Sequence, residues 1–138
     1  MKEIHYLSEE EVAKKFFCET PHQRISFEDD GGKEIGHAEL ILFNDPIKFY
    51  YFSFIDVSSG NRRLGFGSQL VEAVNKFLSD KNLPGILMNA ETETAGLYLR
   101  HGWKALPDSL YMFYFHGGKI SDEIIQEMVK EVKKYENK

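Results

Sequence analysis

The stretch from Ile47 to Leu78 constrains the fold more than any other part of the chain. Ile47, Phe49, Tyr50, Tyr51, Phe52, Phe54, Ile55 and Val57 form a nearly unbroken apolar run, as expected of a strand buried on both faces in the centre of a sheet. Eight residues, Ser58 to Gly65, then lead into Phe66, Leu70, Val71, Val74, Phe77 and Leu78, which recur at helical spacing. A central strand that feeds a glycine-rich loop and then directly a helix builds an anion site. The first-turn N–H groups of a helix have no internal partners and lie at the positive end of its dipole, and glycine lets an oxyanion approach the backbone closely. Arg62 and Arg63 add positive charge to this loop, and a pyrophosphate suits it.

The flanking sequence supplies the other elements. Ser8 and Glu11 form a capping box, with Leu7 and Val12 as its hydrophobic staple, predicting a short helix from Glu9 that buries Val12, Phe16 and Phe17. Arg24-Ile25-Ser26-Phe27 alternates, Asp29-Asp30-Gly31-Gly32 is a turn, and Lys33 to Phe43 reads as a return strand, so three antiparallel strands in a row end at Val57. Asn82-Leu83-Pro84-Gly85 ends the helix that follows the loop, and Ile86 to Ala90 is a short strand. Thr92 to His101 reads as a second helix with Gly102 in the closing left-handed position; Trp103–Leu106 and Leu110–His116 read as strands. Ser121 caps a last helix, about 121–136, with acidic residues first, lysines late and an apolar stripe of Ile124, Ile125, Met128, Val129, Val132 and Tyr135. This helix is expected to pack on the same domain, with a homodimer contact as the alternative use of its stripe.

Composition narrows the function classes. A chain of 138 residues makes one domain, expected to span 1–138 with a core at about 1–116. Seventeen basic against 22 acidic residues give a net charge of −5, which argues against nucleic acid or an anionic membrane as a partner. Cys18 is the single cysteine, so neither a bridge nor a cysteine metal site is expected, and the five histidines lack ligand spacing. With no signal-like segment and no apolar run near the ~20 residues of a membrane span, a cytoplasmic, metal-free protein is expected.

Three phosphate-binding patterns can be set against the loop. Gly60 and Gly65 have P-loop spacing, but Phe66 and Gly67 stand where the lysine and the magnesium-binding hydroxyl belong. The dinucleotide fingerprint fails because Leu70 follows Gly65 and Gly67 in place of the third glycine. The pattern [RQ]-x-x-G-x-[GA] is met by Arg62, Gly65 and Gly67, and here the sequence resembles the GNAT family of N-acetyltransferases. Leu97, Tyr98, Gly102 and Trp103 fit the latter half of that family's second motif, N-x-x-A-x-x-L-Y-x-x-x-G-[FW]. Glu91 stands where the family usually has Asn, and Thr94 where it usually has Ala.

The resemblance implies an α/β fold, a mixed and largely antiparallel sheet flanked by helices, here with an extra C-terminal helix. It also implies acetyl-CoA as co-substrate and direct transfer of the acetyl group to a primary amine on a small-molecule or peptide acceptor. The end of the central strand at Ile55, Asp56 and Val57 would hold pantetheine and the acetyl carbonyl. Arg62, Arg63 and the amides of Leu64, Gly65, Phe66, Gly67 and Ser68 would hold pyrophosphate. Tyr98 matches the tyrosine placed near the thioester sulfur, where its phenol would protonate the leaving thiolate. Glu91 first and Asp56 second are the candidates to deprotonate the amine; the glutamate of histone-type members is replaced by Tyr51. Tyr50, Tyr51 and Ser53 are expected to line the acceptor cleft, and His101 reads as a helix-terminal residue favoured by the dipole. Two rival readings remain on the same residues, a non-catalytic acyl-CoA sensor and a protein-interaction domain.

Overall fold

The structure, a computed structural model, describes residues 3–7, 22–44, 46–57, 65–89 and 92–136. The helix expected from Glu9, Cys18, and the site residues Arg62, Arg63, Leu64 and Glu91 lie outside the described residues.

Strands β1 (Glu3–Leu7), β2 (His22–Glu28), β3 (Glu34–Phe43) and β4 (Phe49–Val57) form an antiparallel meander. The β2–β3 turn forms because Asp29 accepts hydrogen bonds through Oδ1 from the N–H groups of Gly31 and Lys33, and Gly32 takes a positive φ of 81°. Helix α1 (Phe66–Lys81) crosses over to β5 (Gly85–Met88), which pairs parallel with β4; such a pairing requires a crossover of this kind. Helix α2 (Thr92–Arg100) follows, then β6 (Lys104–Ala105), β7 (Tyr111–Tyr114) and helix α3 (Asp122–Glu136). Among the described residues the sheet order is β1-β2-β3-β4-β5-β7-β6, with β4–β5 the parallel pair.

Each face of the sheet has its own core. Ile25, Phe27, Ala38, Leu40, Tyr50, Phe52 and Leu87 pack on Leu70, Val71, Val74, Phe77 and Leu78 of α1. On the other face Ile41, Phe49, Tyr51, Ile86, Tyr111 and Phe113 pack on Ile125, Met128, Val129 and Val132 of α3. Ile125, Met128, Val129 and Val132 of the C-terminal stripe are thus buried within this chain, while Ile124 stays exposed. Tyr51 donates its hydroxyl to Glu136 at the far end of α3, and Tyr135 lies edge-on to Phe43 and Tyr51. The aromatic run beginning at Tyr111 is sheet core, Met112 packing on one face and Tyr111 and Phe113 on the other.

Four expectations are corrected. The sheet starts one strand earlier, at Glu3–Leu7, because β2 offers a full edge to a segment too short to alternate visibly. The central strand starts at Phe49 and is not buried throughout, since Phe54 is 47% exposed and Asp56 is exposed. Trp103 precedes β6 rather than joining it, and the last strand is trimmed to Tyr111–Tyr114.

Candidate active site

The exposure of Phe54 and Asp56 follows from how β4 and β5 part. Their parallel register covers only Tyr50–Phe52 against Gly85–Leu87. Beyond it, β5 remains with β7, through Met88 opposite Tyr111 and the Asn89 N–H donated to the Leu110 carbonyl at 2.7 Å. Strand β4 remains with β3, but its register shifts, Leu40 facing Phe52 and Glu39 facing Phe54. Ser53 is the extra residue of this bulge, and its Oγ donates to the Glu39 carbonyl at 3.3 Å. A bulge bends its strand and sharpens the local twist, so β4 turns away where β5 ends. Between Ser53–Val57 and the end of β5 a gap opens. Along it β4 has no strand neighbour on that side among the described residues.

The N-terminus of α1 follows at the end of β4. Gly65 caps it in the left-handed conformation (φ 82°) without a side-chain hydrogen bond, and its carbonyl accepts the Gln69 N–H at 3.2 Å. No acidic side chain stands in the first turn. Among the described residues a Cβ on Gly65 would meet nothing within 4 Å, and one on Gly67 would meet Leu97 Cδ2 at 3.8 Å. These features fit a diphosphate, which needs uncovered N–H groups and no facing carboxylate. The expected site residues Gly65, Phe66, Gly67 and Ser68 all lie in this turn.

Helix α2 packs beside it. Tyr98 is 7% exposed, its ring edge-on to Phe52 at 6.0 Å and to Trp103 at 6.4 Å. Since Phe52 makes the last β4–β5 rung, Tyr98 lies beneath the floor of the gap. Gly102 (φ 87°) ends the helix, with its N–H donated to Leu99 and that of Trp103 to Tyr98. The buried Trp103 indole N–H donates to Asn75 Oδ1 at 2.8 Å, and Asn75 Nδ2 donates to the His101 carbonyl at 2.8 Å, fastening α2 to α1. The glycine and tryptophan of the second motif therefore position Tyr98.

Ile55 and Tyr98 pack on the same core, and the first turn of α1 touches the end of the segment that carries Tyr98 through the Ser68–His101 hydrogen bond. Asp56 is on the other face of β4 from Tyr98, opposite His37. Tyr50 and Tyr51 do not line an open cleft. Tyr50 is buried edge-on against Phe77, and Tyr51 is buried beneath α3, where burial first and then Glu136 push its phenol well above the ordinary range. Ser53 serves the bulge. His101 was not foreseen as a contact between the motifs: its Nε2 and Ser68 Oγ are hydrogen-bonded at 2.7 Å. Asn75 carried no sequence signal beyond a polar residue on an apolar helix.

Comparisons with known proteins agree with this fold. The family model described as an acetyltransferase (GNAT) domain matches residues 21–105. No curated protein sequence matches the chain. Among solved structures, the ribosomal-protein-S18-alanine N-acetyltransferase of Escherichia coli superposes with a TM-score of 0.65 at 15% identity, over 88% of this chain and 98% of that one. GCN5 of Tetrahymena gives 0.60 at 15%, over 80% and 78%. A mutant AtaT toxin bound to the C-terminus of the antitoxin AtaR and acetyl-CoA gives 0.63 at 8%, over 83% and 92%. At these identities the structures speak for the fold, and the family model, covering more than half of the sequence, speaks for descent: the chain belongs to the GNAT acetyltransferase domain family, a family of N-acetyltransferases.

Proposed function

We propose that the protein takes acetyl-CoA as donor and passes the acetyl group directly to a primary amine within one ternary complex. The observation that carries this reading is the parting of β4 from β5, together with a helix N-terminus whose first turn holds no acidic side chain. The gap is a place for the pantetheine arm and thioester, and the turn Gly65–Ser68 a place for the pyrophosphate. In this reading the edge of β4 at Ile55–Val57 orients the arm, and a backbone N–H there polarises the thioester carbonyl as charge develops on its oxygen. Arg62 and Arg63 supplement the charge at the pyrophosphate.

An amine attacks only as the free base, so an alkylammonium must first lose a proton. Asp56, exposed on the face opposite Tyr98, and Glu91 are the carboxylates proposed for that step. The attacking nitrogen forms the C–N bond, the C–S bond breaks, and the thiolate takes a proton from the Tyr98 hydroxyl, which regains one from the amine nitrogen. A relative bound to acetyl-CoA and relatives that are N-acetyltransferases support the choice of donor and reaction class. The experiment is a turnover screen of acetyl-CoA with a panel of primary amines, read by thiol release. Release dependent on amine and lost in Gly67→Asp supports the reading; tight acetyl-CoA binding without turnover on any amine would favour the sensor.

A further inference from the structure

At the β2–β4 end of the face that carries α3, outside the core that packs on that helix, stands a set of titratable side chains. Arg24 of β2, almost fully buried, donates through Nε and Nη2 to both oxygens of Glu34 and through Nη1 to Glu39 Oε1 at 3.1 Å. Ser26 Oγ donates to Glu34 Oε2 at 2.7 Å. His37 of β3 has Nδ1 3.4 Å from Glu34 Oε1 and Nε2 4.0 Å from Glu39 Oε1. Its ring lies 5.1 Å from the exposed ring of Phe54.

Two features make this more than an internal ion-pair network. Burial, helped by Arg24, pushes the imidazole below its ordinary value against the opposing pull of Glu34, Glu39 and Asp56, which favours the neutral ring. The shorter Nδ1–Glu34 distance favours the tautomer with its N–H on Nδ1, and in that tautomer Nε2 turns its lone pair toward the Glu39 carboxylate. Two acceptors then face each other, too far apart to bond and with no proton between them. A cationic N–H donor bridges such a pair. The register also aligns the site with the proposed reaction: Glu39 of β3 is directly opposite Phe54 of β4, and the next position across the sheet is the gap where β5 has left.

We infer that His37 and Glu39 hold the second, non-reacting ammonium of an alkyl diamine or polyamine acceptor whose linker lies on Phe54 and whose reacting amine enters the β4–β5 gap. The distance suits such a molecule. Strands are about 4.8 Å apart, so a point above β3 and one in the gap beyond β4 are separated by roughly 7–10 Å, the reach of a chain of about five carbons. The exposed Phe54 ring offers apolar area to the methylenes and its face to a cation. The charges facing His37 among the described residues are Arg24 from β2, Glu34 and Glu39 on β3 and Asp56 from β4, an excess of negative charge for a cation to meet. The inference deepens the acetyltransferase reading and rests on it.

The test is NMR titration with 1,5-diaminopentane against 1-aminopentane, following the His37 ring signals assigned from the missing peaks of His37→Gln. The expected result is a saturable shift of His37 with the diamine, binding about tenfold tighter than the monoamine, and loss of that preference in Glu39→Gln, whose amide oxygen still accepts from Arg24. Equal affinities, or His37 signals that do not move, would overturn the inference. Calorimetric titration of the same samples with acetyl-CoA keeps two failures apart. Acetyl-CoA binding without diamine preference overturns the second-ammonium site alone, whereas absence of acetyl-CoA binding overturns the acetyltransferase reading beneath it.

Discussion

Replacing Gly67 by aspartate should separate stability from ligand binding, because the two respond with opposite sign. Gly67 is the second residue of α1, its φ is not in the positive region, and an added Cβ makes only ordinary contact with Leu97. In the free protein a carboxylate in this first turn complements the helix dipole by about 0.3–1 kcal/mol, and removing glycine's unfolded-state freedom adds about 0.4–1 kcal/mol. The melting temperature of the free variant should therefore hold or rise by a few degrees. With a pyrophosphate on the turn the same carboxylate is repelled. At about 4 Å and an effective dielectric of about 20 a pair of unit charges costs about 4 kcal/mol, and screening by salt reduces this to about 2–3 kcal/mol. Acetyl-CoA affinity should fall roughly 30- to 150-fold. Gly67→Asn, of equal size and uncharged, isolates the electrostatic part, and calorimetry on all three proteins reads it. A folded Gly67→Asp protein that binds acetyl-CoA within threefold of the wild type would refute the assignment of the turn.

Further consequences can be read with standard assays. Tyr98→Phe should lower kcat at least tenfold with acetyl-CoA affinity little changed, since its ring contacts stay while the proton donor goes; equal loss in both would make Tyr98 a packing residue. Tyr51→Phe removes the bond to Glu136 and should cost about 1–2 kcal/mol in denaturant unfolding, testing whether α3 is clasped to this sheet. Burial raises Glu34, but its hydrogen bonds from Arg24 and Ser26 outweigh that and leave its carboxyl below the ordinary value of 4.5. A lowered carboxyl stabilises the fold above its unfolded value and loses that contribution as pH falls through the folded one. Glu34→Gln should therefore be less stable at pH 7, by about 1 kcal/mol after discounting for partial exposure, with the difference closing below about pH 4 in pH-dependent unfolding.

What the sequence disclosed and what it concealed have the same physical origin. Elements with a strong period or a distinct stop were legible: the helix from Phe66 closes at Asn82 in the left-handed conformation, and α2 closes at Gly102. The start of α1 after Gly65 and the helix that carries Tyr98 were legible because glycine and tyrosine occur there at fixed spacing. Strand β1 was not, since five residues hold too few alternations and its edge depends on β2. The parting of β4 from β5 was also hidden. Apolar letters continue through Phe54 and Ile55, and only the bulge at Ser53 and the early end of β5 decide that Phe54 is open to solvent. The contacts of His101 with Ser68 and of Asn75 with Trp103 join residues about 30 positions apart and leave no local pattern. Tyr50 and Tyr51 were expected in a cleft because Tyr51 stands where the resemblance places a glutamate, and the sequence does not tell that α3 covers Tyr51 and that Phe77 packs on Tyr50.

The central claim is that the gap and the first turn of α1 together bind an acyl-CoA. Calorimetric titration of the purified, coenzyme-stripped protein with acetyl-CoA, with free CoA and ATP as controls, tests it most directly. The account predicts micromolar binding of acetyl-CoA, about −8 kcal/mol, with ATP far weaker because it lacks the pantetheine arm that the gap receives. No binding of acetyl-CoA to a folded sample, or ATP binding as tightly, would contradict it.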